Sequence, residues 1–146
     1  MAEDRSEQSK DLVRRMVEAI NQRDLAELDS IVAPDLHRHS GATSGVTIEN
    51  RDQFKASLEQ DFATVPDSVQ QLDFLLARDD FVAIRARYMG TQRGPWGPFP
   101  PSNKRLELPF IGIVRVEDGR IAEIWVEWDN LNALQQLGHL PSAGTP

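Results

Sequence analysis

The main change in the spacing of apolar residues along this chain falls near Ser68, and that change constrains the fold more than any other feature of the sequence. Before Ser68, apolar residues recur every three or four positions, which predicts helices over about residues 9–22, 24–32 and 51–64. After it, apolar residues alternate with others, which predicts strands over about residues 68–78, 81–91, 104–116 and 120–128. Three helices, then a long curved antiparallel sheet and one short helix predict an α+β domain.

Turn and stop signals separate these elements. Asp79-Asp80 and Asp118-Gly119 stand between neighbouring strands, and an Asp-Gly pair favours a tight hairpin. A short strand is predicted over residues 36–40, a loop with four prolines over residues 92–103, and a last helix that ends at Gly138. We therefore expect one domain over residues 1–146, with residues 1–8 and 140–146 loosely held at its ends.

Charge and composition exclude several classes of function. The formal net charge is -7 and no run of basic residues offsets it, so neither nucleic acid nor an anionic membrane is expected as a partner. The chain has no cysteine, which excludes disulfides, thiol nucleophiles and cysteine-ligated metals. Its charged N-terminus and the lack of a long apolar run predict a cytoplasmic protein without a signal peptide or a membrane anchor.

Acidic residues recur at every second position in and after the last predicted strand. Glu123, Glu127 and Asp129 therefore share one face with Trp125, while the other face is apolar. Two interpretations remain: the acidic face is a solvated outer surface, or it is a polar wall inside a pocket. We favour the pocket, because a tryptophan stands among the acids and buried acids are uncommon without a function.

Two histidines, His37 and His39, share a face if residues 36–40 form a strand. A histidine pair at this spacing can ligate a metal, but no further ligand stands at a fixed spacing, so no metal site is predicted. The open alternatives are imidazoles that take part in acid/base or hydrogen-bonding work in a pocket, and an exposed polar strand end.

Arginine and aromatic residues provide the remaining candidates. Arg85 lies on a predicted strand, where it either pairs with Glu123 or Glu127 or stabilises negative charge on a ligand. Trp96 and Phe99 lie in the proline-rich loop, where large apolar groups form either a pocket lid or a dimer contact.

Asp129 also has two interpretations. An aspartate directly before a helical run is a good N-cap, and the same carboxylate can serve as a general base if it faces a pocket. The chain contains no glycine-rich dinucleotide loop, no phosphate loop and no serine-nucleophile elbow. Cofactor-free chemistry is the enzymatic option that remains.

Five stretches of the chain share their order and spacing with a known family: APDLHRH (33–39), VPD (65–67), VAIRARYMGT (82–91), GPFPPSNKR (97–105) and DGRIAEIWVEWDNLNALQQLG (118–138). With them the chain resembles the SnoaL-like polyketide cyclases and ester cyclases of the nuclear transport factor 2-like superfamily, over residues 12–140. The resemblance implies a cone-shaped α+β fold with a pocket between the helices and the curved sheet. It also implies a homodimer formed through the outer face of the sheet.

The resemblance implies roles for individual residues as well. Asp129 matches the family's acid/base residue, His39 its pocket histidine and Arg85 its strand arginine. Gln92 departs from the family pattern, because many members have a histidine directly after the Gly-Thr pair. A mechanism that uses that histidine as proton carrier would need another group in this chain.

Residues and resemblance together predict a cofactor-independent cyclase that closes a ring in a polyketide-like natural product, by aldol or epoxide-opening chemistry. The predicted catalytic residues are Asp129, His39, Glu123 and Glu127, and the predicted contacts to a mostly apolar substrate are Arg85, Gln92, Trp125, His37, Trp96 and Phe99. The alternatives are a non-catalytic ligand-binding or dimeric interaction module, and a hydrolase or isomerase that uses the same pocket.

Overall fold

The computed structural model describes residues 2–43 and 46–141. Its helices are α1 (Ala2–Asn21), α2 (Leu28–Ile31), α3 (Arg51–Thr64) and α4 (Asn130–Gln136), with 3-10 helices at Leu25–Glu27 and Gly41–Thr43. Its strands are β1 (Val32–His39), β2 (Val69–Arg78), β3 (Phe81–Thr91), β4 (Arg105–Glu117) and β5 (Arg120–Trp128). No helix within these residues is both long and apolar enough to cross a membrane.

The strands form one sheet in the order β1-β5-β4-β3-β2. Strands β2 to β5 are antiparallel to their neighbours, and β1 adds a parallel strand at the edge beside β5. Asp79 and Asp118 adopt the left-handed conformation in the two hairpin turns, with φ of 54° and 50°, which aspartate tolerates better than most residues. Register shifts within three strand pairs bend the sheet. The predicted α+β fold, with helices over one curved sheet, is confirmed.

The helices cover one face of the sheet, here called the inner face. The apolar stripe of α1, which includes Val13, Met16 and Ile20, is buried in one core with Val82 and Val114 of the central strands. Full burial of a side chain of this kind contributes roughly 1.5–3 kcal/mol, so this contact decides which face of each strand lies inside.

Helix α1 begins earlier than predicted. Residues 2–8, expected to be loose, are part of the helix, and their polar side chains hold the turn between β2 and β3. Arg5 makes an ion pair of 2.9 Å with Asp80, and the Ser6 hydroxyl accepts a hydrogen bond of 3.0 Å from the Asp79 backbone N–H. Of the C-terminal residues expected to be loose, 142–146 lie outside the described residues.

The second predicted helix, over residues 24–32, is interrupted and shorter. The Asp24 carboxylate accepts a hydrogen bond from the Glu27 N–H and caps a single 3-10 turn, after which α2 has only 4 residues. Strand β1 then starts at Val32, before the predicted residue 36, and its pairing with β5 is irregular between Val32 and His37. Pro34 stands in that interval and has no N–H for a regular ladder.

The last strand turns its acidic face away from the helices, so the prediction of an inward acidic wall is wrong. Glu123, Trp125 and Glu127 alternate with apolar residues of the core, such as Ile124. The pairing of Glu123 with Arg115 places this row on the outer face of the sheet. Only one side of such a strand can face the core, and the apolar side gains more from burial than a row with two carboxylates.

The outer face is apolar as well as charged. Five of its exposed apolar side chains, between 45% and 64% exposed, are Phe74, Leu76, Phe81, Ile111 and Ile113. Pairing of β2 with β3 and of β3 with β4 brings them into neighbouring rows, and together they are called the outer apolar patch. Because both faces of the sheet carry large apolar residues, alternation alone does not reveal which face is inside.

Candidate functional site

The inner face is fully packed against α1 but remains partly open beyond it, toward α3 and α4. Val82 and Ala86 have no exposed surface, whereas Tyr88, Phe110 and Trp128 are only half-buried. Phe110 pairs with Ala86 on one side and with Trp128 on the other. This open part of the inner face is called the inner cleft, and it consists of Arg38, Asp61, Tyr88, Phe110 and Trp128.

Arg38 reaches the inner cleft from β1, because strand geometry turns it away from its two histidine neighbours. Its guanidinium carbon lies 5.5 Å from the ring centre of Trp128, a cation–π contact. Burial lowers the pKa of Arg38, and the negative charges of Asp61 and Glu127 oppose that shift. An arginine keeps its charge even so, which gives the cleft a fixed cation.

Asp61 stands on the side of α3 that faces the sheet. Phe54, Leu58 and Val65 occupy the same side and are buried, yet Asp61 between them is exposed. A residue on the inward side of a helix that stays open to solvent lines a hollow, because protein atoms do not fill the space before it. The surrounding protein nevertheless raises the pKa of Asp61 to about 6, and the charge of Arg38 opposes that shift.

Tyr88 supplies a neutral phenol to the same cleft. Burial raises its pKa well above the ordinary value, the charge of Asp61 adds to that effect, and the hydroxyl of Ser68 opposes it. A tyrosine in this state keeps its proton at neutral pH and can donate a hydrogen bond. The inner cleft therefore combines a carboxyl, a cation and a phenol between aromatic walls.

Asp129 caps α4 at the end of β5, beside the cleft residue Trp128. Its Oδ1 accepts a hydrogen bond of 3.0 Å from the Asn132 backbone N–H. The next residue, Asn130, accepts a hydrogen bond of 2.7 Å from Trp128 Nε1 and donates one of 2.5 Å to the Ala42 carbonyl. The predicted N-cap is thus confirmed, and proton transfer by this carboxylate stays a prediction.

His39 and Glu123 meet on the outer face of the sheet. His39 Nε2 and Glu123 Oε2 are 2.7 Å apart, and Arg115 Nε donates to the other Glu123 oxygen at 3.2 Å. The hydrogen bond with His39 and the contacts with Arg115 hold the pKa of Glu123 below its ordinary value. His39 also stacks on Trp125, with ring centres 5.5 Å apart, and on His37 at 6.4 Å. Four predicted site residues therefore come together, but on the side away from the inner cleft.

Two further predicted residues also face outward. Arg85 Nη1 lies 3.7 Å from Asp73 Oδ2. The alternative in which Arg85 pairs with Glu123 or Glu127 is therefore wrong. Glu127 is exposed and accepts a hydrogen bond of 2.8 Å from the Gly41 N–H, which ties β5 to the segment after β1.

Gln92 holds the proline-rich loop in place. Its side chain is fully buried, and its amide nitrogen donates to the Gly94 carbonyl at 3.0 Å and to the Pro100 carbonyl at 3.1 Å. Its amide oxygen lies 2.7 Å from His139 Nε2. Both amide hydrogens are engaged by the loop, so the structure gives Gln92 a structural role in place of the predicted contact to a substrate.

The two aromatic residues of this loop take different positions. Trp96 packs against an apolar cluster to which Tyr88 and Trp128 also belong, so it extends the aromatic wall of the inner cleft. The Phe99 ring lies tilted against that of His139, with ring centres 5.0 Å apart, and its backbone exchanges two hydrogen bonds with that of Trp96. The loop therefore lies beside the apolar cluster that Tyr88 and Trp128 also contact.

A second depression lies between α1 and β2 and shares no residue with the inner cleft. It has a volume of about 480 Å³ and is lined by residues such as Arg14, Glu18 and Gln70. Among residues 2–43 and 46–141, no three His, Cys, Asp or Glu side chains come close enough together to hold a metal ion. The inner cleft is the stronger candidate, because it combines aromatic walls with a carboxyl of perturbed pKa.

Sequence reasoning missed all five residues of the inner cleft: Arg38, Asp61, Tyr88, Phe110 and Trp128. A signal for Asp61 is present, because positions 54, 58, 61 and 65 lie on one side of a helix and Asp61 is the polar residue in that row. For Arg38 and Tyr88 the signal is weaker, since their inward direction depends on how distant strands pair.

These features define a class of protein: a small α+β domain in which helices and one curved sheet flank a cleft with aromatic walls. The model of the SnoaL-like polyketide cyclase family matches residues 10–137, and the chain therefore belongs to that family. The resemblance seen in the sequence is confirmed. No curated protein matches the chain.

Three solved structures illustrate the similarity. IdmH of Streptomyces antibioticus, a candidate polyketide cyclase, is 30% identical with a TM-score of 0.80, and the match covers 89% of this chain and 98% of IdmH. TsrD of Streptomyces laurentii is 28% identical with a TM-score of 0.82, over 91% of this chain and 96% of TsrD. An LEH-like epoxide hydrolase of M. tuberculosis is 15% identical with a TM-score of 0.72, over 90% of each chain, and shows the fold alone.

Proposed function

We propose that this protein closes a ring in a small, mostly apolar, polyketide-like intermediate, by cofactor-independent general acid/base catalysis in the inner cleft. The observation that carries the proposal is the combination of half-buried aromatic side chains and titratable groups between α3 and the inner face of the sheet, in a member of the SnoaL-like family. Tyr88, Phe110 and Trp128 offer flat apolar surfaces on which a polyketide ring system would pack. The similarity to IdmH, a candidate polyketide cyclase, supports the same class of substrate.

Ring closure takes one proton and gives one, by either of two routes. In an aldol closure, a base takes a proton from the carbon beside a carbonyl, the enolate attacks a second carbonyl, and the new alkoxide receives a proton. In an epoxide-opening closure, a hydroxyl loses its proton and attacks an epoxide carbon, and the released oxygen is protonated. Both routes suit a cleft in which a carboxyl, a cation and a phenol face the ligand.

Asp129 is the proton carrier that the family resemblance implies. It stands next to Trp128 at the end of β5, and the helix cap engages Oδ1, so proton transfer would use Oδ2. Arg38 and Tyr88 would donate hydrogen bonds to the oxygen on which negative charge develops. On this proposal, His39 and Glu123 take no part in catalysis.

The outer face of the sheet would serve a different purpose, as the interface of a homodimer. The outer apolar patch holds five exposed apolar side chains, more than a solvated sheet face needs. A second copy of the chain is the partner that the family resemblance implies. Trp125 and Arg85 would then belong to that interface rather than to a substrate site.

The mass of the product tests the proposed reaction directly. Incubation with a panel of linear and partly cyclised polyketides, followed by mass spectrometry, should give a new ring with unchanged mass, or with the loss of one water after an aldol closure. A product that gains one water would indicate the hydrolase alternative. Saturable binding of panel members with no product from any of them would favour the non-catalytic binding module.

A further inference from the structure

We infer that Asp61, set opposite Arg38 and Tyr88, is a catalytic carboxylate of the inner cleft that takes the proton from the substrate carbon. This inference rests on the proposed function and adds a residue that the family resemblance does not assign. It differs from the role of Asp129, which stands at the end of β5 rather than on α3.

The position of Asp61 argues against an ordinary surface role. Phe54, Leu58 and Val65 on the same side of α3 are buried, and Phe62 beside it packs against the main core. An apolar residue would therefore be expected at position 61 if protein filled the space in front of it. A carboxylate at this position, open to solvent, indicates that the space is kept for water or a ligand.

A structural ion pair does not account for Asp61 either. Within the described part of the chain, no cation lies within ion-pair distance of its carboxylate, although Arg38 acts on it from farther away. A close ion pair would hold the pKa of an aspartate below its ordinary value. The Asp61 side chain is open to solvent on one side, but the protein around it partly desolvates the carboxyl and raises its pKa to about 6. Such a carboxyl is largely ionised at neutral pH yet protonates readily, which suits a group that both accepts and donates.

Charged groups on the neighbouring elements influence whether the Asp61 carboxyl is protonated or ionised. Arg38 on β1 favours the ionised carboxylate, while Glu127 offsets part of the charge of Arg38. Tyr88 on β3 remains a neutral donor, and Arg23 and Asp67 act on it with opposite sign. The cleft therefore presents one basic oxygen and two hydrogen-bond donors to the same ligand.

This arrangement fits the aldol route atom by atom. Asp61 takes the proton on the carbon beside a carbonyl, and the C–H electron pair moves into the enolate, whose oxygen accepts hydrogen bonds from Arg38 and Tyr88. The enolate carbon then forms a bond to the second carbonyl carbon, whose oxygen becomes an alkoxide. Asp129 gives a proton to that alkoxide from Oδ2, and the proton taken by Asp61 passes through water to Asp129, so no external acid, base or redox partner is consumed.

A probe reaction that needs only an accessible base tests the inference without the natural substrate. A base removes the ring proton of nitrobenzisoxazole, the N–O bond breaks, and a coloured cyanonitrophenolate forms. The rate with the unaltered protein should rise with pH around a midpoint of about 6. Asp61→Asn should lower it roughly 10²-fold and abolish the midpoint.

Glu59→Gln is the matched control, because Glu59 is an exposed carboxylate on another side of α3. It should keep both the rate and the midpoint. The inference is overturned if Asp61→Asn keeps the rate of the unaltered protein, or if the two variants lose it equally.

A second measurement does not depend on a variant that folds. The carboxyl carbon of Asp61, followed by NMR in the unaltered protein, should titrate at about pH 6, and titration near the ordinary value for aspartate would count against the inference. Failure of the proposed function is distinguishable. If the probe reaction depends on Asp61 and its carboxyl titrates at about pH 6, but no polyketide is cyclised, only the cyclase proposal is wrong. If Asp61→Asn still cyclises a polyketide, only the role of Asp61 is wrong.

Discussion

The imidazole Nε2 of His39 lies 2.7 Å from the Oε2 atom of Glu123, on the face of the sheet that is turned away from the helices. Together with Arg115, this contact joins β1, β5 and β4 across the outer face. The pair therefore holds the edge strand β1 in place. Loss of this contact should lower the thermal stability of the folded protein.

Glu123→Gln should lower the melting temperature at neutral pH, with a difference that disappears in acid. The folded state holds the pKa of Glu123 below its ordinary value, so its carboxylate contributes stability above the unfolded pKa. That contribution is lost as pH falls through the folded pKa. Thermal unfolding between about pH 3 and 7 measures it, and a difference that stays constant over this range would contradict the assignment.

Asp61→Asn should show the opposite dependence on pH. The pKa of Asp61 is raised to about 6 in the folded protein, so stability is highest while the group is protonated and falls as pH rises through that value. The variant should therefore melt at a higher temperature than the unaltered protein at about pH 8, and gain little at about pH 4. Glu59→Gln serves as the control; an equal gain in both variants would point to net charge rather than to the cleft.

Asp129→Asn should reduce turnover far more than stability. Asparagine caps a helix about as well as aspartate, but its amide cannot carry a proton, so turnover should fall by roughly 10²- to 10⁴-fold. Asp129→Ala, by contrast, should also cost about 1 kcal/mol through loss of the cap. Product formation and melting temperature on the same preparations separate the two effects. Near-normal turnover of the asparagine variant would leave Asp129 as a cap alone.

Ile111→Glu should convert a dimer into monomers. Ile111 on β4 is 61% exposed and belongs to the outer apolar patch, and a buried, unpaired charge there would oppose association. Light scattering should give about twice 16.4 kDa for the unaltered chain and 16.4 kDa for the variant. Val46→Glu is the control, because Val46 is 57% exposed but lies outside the patch. A mass of 16.4 kDa for the unaltered chain at all concentrations would exclude the proposed dimer.

Much of the fold could be predicted because its signals are local. Helix α3 was expected over residues 51–64 and occupies Arg51–Thr64, since Asn50 caps its start and Pro66 follows its end. The two hairpins follow from turn residues that accept a positive φ. These elements can be predicted from neighbouring residues, without information on distant parts of the chain.

The site could not be predicted in the same way, because it depends on which face of each strand lies inside. In β5, both sets of alternating residues contain tryptophan and apolar side chains, and the choice is made by packing against α1, far away in sequence. The parallel pairing of β1 then carries His39 outward and Arg38 inward. Asp61 was detectable as a polar residue in an apolar helical row, but the acids of β5 formed a more conspicuous pattern.

The central claim is that a ligand binds in the inner cleft and not on the outer face, and the three tryptophans of the chain report on both. The aromatic polyketide emodin can be titrated into the protein while the indole N–H signals are followed by NMR, each assigned from a Trp→Phe variant. We predict saturable shifts for Trp128, whose indole N–H donates to Asn130, and for Trp96, with Trp125 unchanged. A shift of Trp125 with Trp128 unmoved would place the ligand on the outer face and contradict the account.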